Sequence, residues 1–482
     1  MLCAKSNRIV SFAALALFSA LFAFGGITAA RAQAEPPTSI PAGGPPGSDP
    51  NAIAFNTWLL YPSINFLVEN SNNYFIAPQS KLSGLAFGVD PTLTAVWSNG
   101  IHTTTLYASF QQLQYPPNSV PQQSNINSLS GEGTWTQQYS PLRDLNFTFV
   151  GDYQHATLQA GLTNAIPTST SFTGFIVLPD GNIQEPNGTI INPTTGQVVG
   201  QAGASASSSP TSFVNPYDTY TGTAKVQKLF SYGIVDLGAS VQRVDYENGG
   251  TGSANYTNNT FSEDGAFWLG SVLYAYSNGQ YNIRDTDPSA IAGSSLMPGN
   301  TSTAYRIIGG IGTRQVGLFR ASAYFGHQGS DTSGSPSSGG NVYGGVVTYY
   351  PTSAWTVSAT IDETLNLSPA GAAPSNQAIG IGGITPLQIS TSGSTQTTST
   401  ALHVSDAINL QWTATGTFGF VHVENIGSPI WDNSYVADAQ LSYNIWRNLT
   451  LTGEYQYSTI VTNAPQSSAV RNLITMSATY KF

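Results

Sequence analysis

The chain ends on a strict alternation. Ile474, Met476, Ala478, Tyr480 and Phe482 fall on one face, and Thr475, Ser477, Thr479 and Lys481 on the other. A period of two is the signature of a β-strand with one apolar and one polar face. The same pattern recurs upstream. Leu449, Leu451, Tyr455 and Tyr457 oppose Thr450, Thr452, Glu454, Gln456 and Ser458. Trp355, Val357, Ala359 and Ile361 oppose Thr356, Ser358, Thr360 and Asp362, and Leu145, Phe147, Phe149 and Tyr153 oppose Asn146, Thr148, Asp152 and Gln154. The polar faces carry Thr, Ser, Asn and Gln, where a soluble sandwich would show Lys and Glu. Only 8% of the 482 residues are charged, against about 25% in an ordinary soluble domain. A face this poor in charge is suited to lipid on one side and a hydroxyl-lined lumen on the other.

Connections sharpen the reading. Tight turns are expected at Ser98-Asn99-Gly100, Ser140-Pro141-Leu142, Ser231-Tyr232-Gly233, Ser277-Asn278-Gly279, around Val316, and at Pro351-Thr352-Ser353, Thr415-Gly416 and Arg447-Asn448. Long polar stretches alternate with them, the longest being 159–216 and 367–399. Short turns on one side and long loops on the other mark an up-and-down outer-membrane barrel. Between the connections lie about 18 strands within 57–482, including 261–276, 280–286, 400–414 and 416–425. The fold class expected is therefore all-β: one transmembrane antiparallel β-barrel with short periplasmic turns and long extracellular loops. Trp97, Tyr139, Phe230, Tyr276, Tyr350, Trp355, Trp412, Trp446 and Phe482 flank tight turns or the C-terminus, which predicts an aromatic girdle at the periplasmic rim.

The N-terminus agrees. Lys5 and Arg8 precede a mostly apolar run from Val10 to Ile27, and Ala32-Gln33-Ala34 supplies a small-residue cleavage site. Residues 1–34 read as a secretory signal peptide cut after Ala34. Residues 35–56, rich in Pro and Gly, read as a periplasmic tail. The one cysteine, Cys3, lies in the leader, so no disulfide or Cys-ligated metal is expected after it. No later segment is long and apolar enough for a membrane helix. The aromatic content argues against disorder, and an acidic balance with pI ≈ 4.8 argues against nucleic acid.

Two resemblances follow. Met476, Ala478, Tyr480 and Phe482, apolar or aromatic at two-residue intervals up to a terminal Phe, resemble the signal read by the barrel-assembly machinery of Gram-negative bacteria. Tyr61-Pro62-Ser63, Glu69-Asn70-Ser71-Asn72-Asn73-Tyr74-Phe75, and Val89-Asp90-Pro91-Thr92-Leu93 leading to Trp97-Ser98-Asn99-Gly100 resemble the opening strands of the beta-barrel porin 2 family. That resemblance implies a Gram-negative outer-membrane barrel. It implies no particular solute.

For chemistry the chain offers little. It has no G-x-S-x-G elbow, H-E-x-x-H or Walker loop, and five histidines. His155 and Asp152 fall on opposite faces, as do His403 and Asp406, while His422 and Glu424 share one near an outer rim. An enzyme, a cofactor and a metal site are not expected. Lumen charges are the better candidates: alternation points Arg306, Arg314, Arg320, Asp362, Asp438 and Glu454 inward, with Asp152 and Asp236. Such charges on different arcs set ion and dipole preference. The expected function is passive diffusion of small hydrophilic solutes through a porin-like channel. The alternatives are export of a neutral exopolysaccharide and a non-conducting, surface-binding barrel.

Overall fold

The computed structural model describes residues 52–72, 83–114, 128–159, 214–246, 255–287, 300–332, 337–352, 354–366, 395–425, 431–463 and 469–482, with four short strands between 176 and 201. The leader, its cleavage site at Ala34 and most of the 35–56 tail lie outside the described residues, as do most of 159–216 and 367–399.

Eighteen long strands form the barrel. They are β1 Trp58–Ser71, β2 Gly84–Ser98, β3 His102–Gln114, β4 Ser128–Leu142, β5 Leu145–Gln159 and β6 Val214–Phe230. Next come β7 Gly233–Tyr246, β8 Tyr256–Trp268, β9 Leu273–Thr286, β10 Asn300–Thr313, β11 Phe319–Thr332 and β12 Ser338–Tyr349. The last are β13 Trp355–Asn366, β14 Thr395–Asp406, β15 Trp412–Asn425, β16 Trp431–Trp446, β17 Leu449–Thr462 and β18 Ala469–Lys481. Each pairs antiparallel with the next, and β18 closes on β1 through pairs such as Ile64↔Tyr480 and Leu67↔Ser477. Closure removes both sheet edges, so the strand N–H and C=O groups pair within the sheet inside a medium that offers no partner.

Register decides the faces. Phe66, Phe87, Leu106, Phe149, Leu237, Phe261, Ile311, Phe325, Phe418 and Met476 all point out and are exposed. In water this band would cost about 25 cal/mol per Å²; against hydrocarbon it is matched to its solvent. At the short-turn end Trp412 stacks on Tyr443, Phe319 on Tyr349, and Tyr139 on His102 and Phe147. A closed barrel with an apolar outer wall and an aromatic rim is an outer-membrane β-barrel, as the alternation foretold.

Three turns and two aromatics depart from expectation: β4 runs through Ser140-Pro141-Leu142, and its turn is residues 143–144. Asn278-Gly279 is not a hairpin: β9 runs through it, and the turn is residues 269–272. There Gly270 takes φ 143°, closed to L side chains, and the Leu269 N–H donates to the Leu273 carbonyl at 2.9 Å. Strands 261–276 and 280–286 are thus replaced by β8 and β9. Thr415-Gly416 is also inside a strand, with Gly416 between Val404 and Ala439. The real turn, residues 407–411, is shaped by Asn409 Oδ1, which accepts from the N–H groups of Gln411 and Trp412 at 2.8 and 3.0 Å. Moving the β8–β9 turn carries Tyr276 off the girdle: it faces the lumen and is buried. Tyr350 lies beside the inward Arg320.

Candidate functional site

The lumen has two unlike walls. On the arc from β6 to β13 the inward side chains are packed. Leu229, Ile234, Ala266, Tyr274, Tyr276, Ile308, Tyr324, Val342, Val346 and Leu365 form one buried cluster. Tyrosines lie flat over glycines of the next strand. A Cβ at Gly310 would stand 2.2 Å from the Tyr276 ring, and one at Gly344 2.4 Å from that of Tyr324. Gly312 takes Tyr274 in the same way.

Polar groups within this arc are knotted together. Arg306, 4% exposed, donates to Asn278 Oδ1 at 3.1 Å, and Asn278 Nδ2 donates to Asp264 at 2.5 Å. Tyr324 donates to Asp362, and Ser322 to the Tyr276 hydroxyl at 3.1 Å. Lys225 bridges Asp236 at 3.0 Å. Arg314 lies 4.6 Å over the Trp268 ring, and Arg320 sits 5.8 Å from that of Tyr350 with Thr348 at 3.4 Å. Arg284 lies 4.4 Å over Tyr256 toward the long-loop end. A smaller polar knot joins β16, β17, β18 and β1. Arg471 donates to Gln456, with Glu69 and Glu454 in electrostatic reach and buried Asp438 nearby on β16.

The arc from β2 to β5 is different. Ala86, Leu113 and Asn146 are buried, but most of its inward residues, among them Asp90, Thr92, Thr94, Thr105, Tyr107, Ser109, Glu132, Thr134, Thr136, Thr148 and Asp152, are half-exposed. Thr134 Oγ1 donates to Asp152 at 2.7 Å and reaches Glu132 at 3.4 Å. Two carboxylates thus share one hydroxyl on the lumen wall, on the half of the barrel nearer the long loops. No basic side chain lies in ion-pair distance of either among the described residues. Nor does any group of three or more His, Cys, Asp or Glu gather there as a metal cage would need.

The sequence-derived residues therefore scatter. Arg306 and Asp362 share the packed arc's network; Arg314 and Arg320 stack on aromatics below it; Asp438 and Glu454 belong to the Arg471 knot. They do not form two facing charged arcs across one water-filled lumen. Glu132 escaped sequence reading because Gly131 and Gly133 occupy the outward positions beside it and erase the period of two. Arg471 was legible, since it shares parity with Leu473, Thr475 and Ser477. His422 faces outward and contacts Asn433 at 2.6 Å and Glu424 at 3.0 Å.

No family model matches the chain, and no curated protein does. Solved structures match its fold. The FrpB iron transporter from Neisseria meningitidis (F3-3 variant) gives a TM-score of 0.44 at 9% identity, covering 88% of this chain and 81% of that one. The siderophore receptor PirA from Pseudomonas aeruginosa gives 0.43 at 9%, covering 87% and 80%. The copper transporter OprC gives 0.45 at 8%, covering 85% of this chain and 62% of that one. At such identities the likeness speaks of the barrel alone. The expectation of passive diffusion is nevertheless overturned. The solved structures that share the barrel are named as transporters and a receptor, not as passive porins. The lumen itself explains why a simple pore is a poor description. Several large inward side chains, among them Tyr274 and Arg471, are fully buried. Protein covers that wall, not pore water.

Proposed function

We propose that the protein is a cargo-selective outer-membrane transport barrel that takes a cationic solute along the β2–β5 wall. One observation carries this reading. Glu132 and Asp152 converge on Thr134, half-exposed to the lumen, with no described cation in reach. Two like charges this close repel each other, and a cation placed between them relieves that repulsion. Asp90, also inward and half-exposed on β2, extends the acidic wall. The arginines cannot offset it, because they lie on the packed arc or in the Arg471 knot. Two carboxylates and a hydroxyl suit an ammonium or guanidinium group, whose N–H donors they can all accept.

Uptake into vesicles holding the reconstituted protein tests this, with putrescine as cationic probe and succinate as its anionic counterpart. Saturable putrescine uptake is expected, with the half-saturation concentration rising about tenfold in Glu132→Gln or Asp152→Asn, which is about 1.4 kcal/mol of binding. Uptake of both probes in linear proportion to concentration would overturn it, and so would uptake of neither.

A further inference from the structure

The outward wall is mostly apolar at mid-height, with neutral polar side chains such as Gln137 and Thr400 and an unpaired carboxylate at one place. Glu263 on β8 faces out, cross-strand from Leu237 on β7 and Gly279 on β9. Below it in the same band lie Phe267, Ala275 and Ile311; above it lie Phe261, Tyr281 and Tyr305. Asp264, the next residue, points inward into the Arg306 network, so register leaves no doubt about the face. Glu363 also faces outward but is bonded to Tyr343 and Thr398, whereas the Glu263 carboxylate makes no hydrogen bond or ion pair with any described residue. A charged group facing hydrocarbon is costly and calls for a partner.

Its surroundings are those of a contact surface. Ser277, Gly279 and Gly309 floor the patch, and bulky Phe261, Leu237, Ile307 and Ile311 wall it. A Cβ built on Gly309 would meet nothing closer than the Tyr276 carbonyl at 4.0 Å, so the floor is open outward. Small residues let a second backbone approach closely inside a membrane, where polar side chains then bond across. The patch also complements itself. Glu263 accepts only, and the Ser277 hydroxyl, one strand away, can donate. A two-fold axis along the membrane normal gives a self-matching contact in which each copy's carboxylate meets the other's hydroxyl. We propose that this face, centred on Glu263, Ser277, Gly279 and Gly309, is where two copies of the chain pair side by side in the membrane.

The test uses the full chain in native membranes with Cys3→Ser, which leaves no other cysteine. Ala275→Cys places a thiol beside the patch, and Ala437→Cys places one on the outward face of β16, far around the barrel. Oxidation is expected to give a covalent dimer at twice the chain mass from Ala275→Cys, at least tenfold more than from Ala437→Cys. Adding Gly309→Leu should cut that yield about fivefold, while the barrel keeps its heat-dependent gel shift. The unaltered chain, extracted in mild detergent, should scatter light as two copies. A single-chain mass, equal yields from the two thiols, or a cross-linked product of some other mass would each overturn the proposal.

Discussion

The β6–β13 wall and the β2–β5 wall are built from the same strand geometry and do opposite things. One buries tyrosines over glycines and knots its charges together. The other leaves threonines and carboxylates half-exposed and their charges uncompensated. What separates them is which residue types fall at inward positions. Glycine across from tyrosine lets a ring lie against the wall and be covered, whereas threonine across from threonine fills no space and leaves room for water. In this barrel the packed wall braces the fold, and the open wall is the one to which the proposed function assigns recognition.

Substitutions at glycine break that contrast most sharply. Gly310→Val should cost several kcal/mol, because its Cβ would fall on the Tyr276 ring and 2.6 Å from the Ala323 carbonyl oxygen. Thr94→Val, inward and half-exposed on the β2–β5 wall, should change stability by no more than about 0.5 kcal/mol. Urea midpoints for folding into lipid vesicles compare the two directly, and equal losses would mean that the walls are not different in kind.

Charge removal should divide along the same line. Arg306→Met leaves half-buried Asp264 beside a buried Asn278 that has lost its donor, and about 3 kcal/mol of stability should go with it. Asp152→Asn should leave the urea midpoint within about 0.5 kcal/mol of the starting protein, while weakening putrescine uptake as described above. A stability loss of the same size for both would erase the division between brace and binding wall.

The smallest effect lies at the rim. In the β4–β5 turn the Lys228 ammonium donates to Asp144 and holds its carboxyl below the usual range. A lowered folded value stabilises above the ordinary Asp titration near pH 3.9, and that contribution fades as pH falls through the folded value. The pair is open to solvent, so Lys228→Met should produce only a slight, salt-sensitive shift of the acid midpoint.

Much of the fold was legible because a period of two needs no tertiary information. The faces of β17 and β18, the strand number and the side of the long loops all follow from it. The errors came where a local signal and the ladder disagreed. Asn278-Gly279 reads as a hairpin in isolation, yet Asn278 is held inward by Asp264 and Arg306, and a strand passes through. Of the candidate site, Asp152 was legible as an inward acid, but its partnership with Glu132 through Thr134 was not, because it joins residues of two strands whose register is set by their turn.

By itself, then, the sequence determined a closed barrel for the outer membrane. Alternation without surface charge admits lipid on one side, and backbone groups in lipid demand closure. Only the tertiary structure decided which inward charges are used up and which remain available. That depends on neighbours across strands: Arg306 meets Asn278, Arg314 meets Trp268, and Glu132 meets another acid. It also decided that Glu263, one residue from a buried network, faces hydrocarbon. A shift of a single position in register would have reversed both.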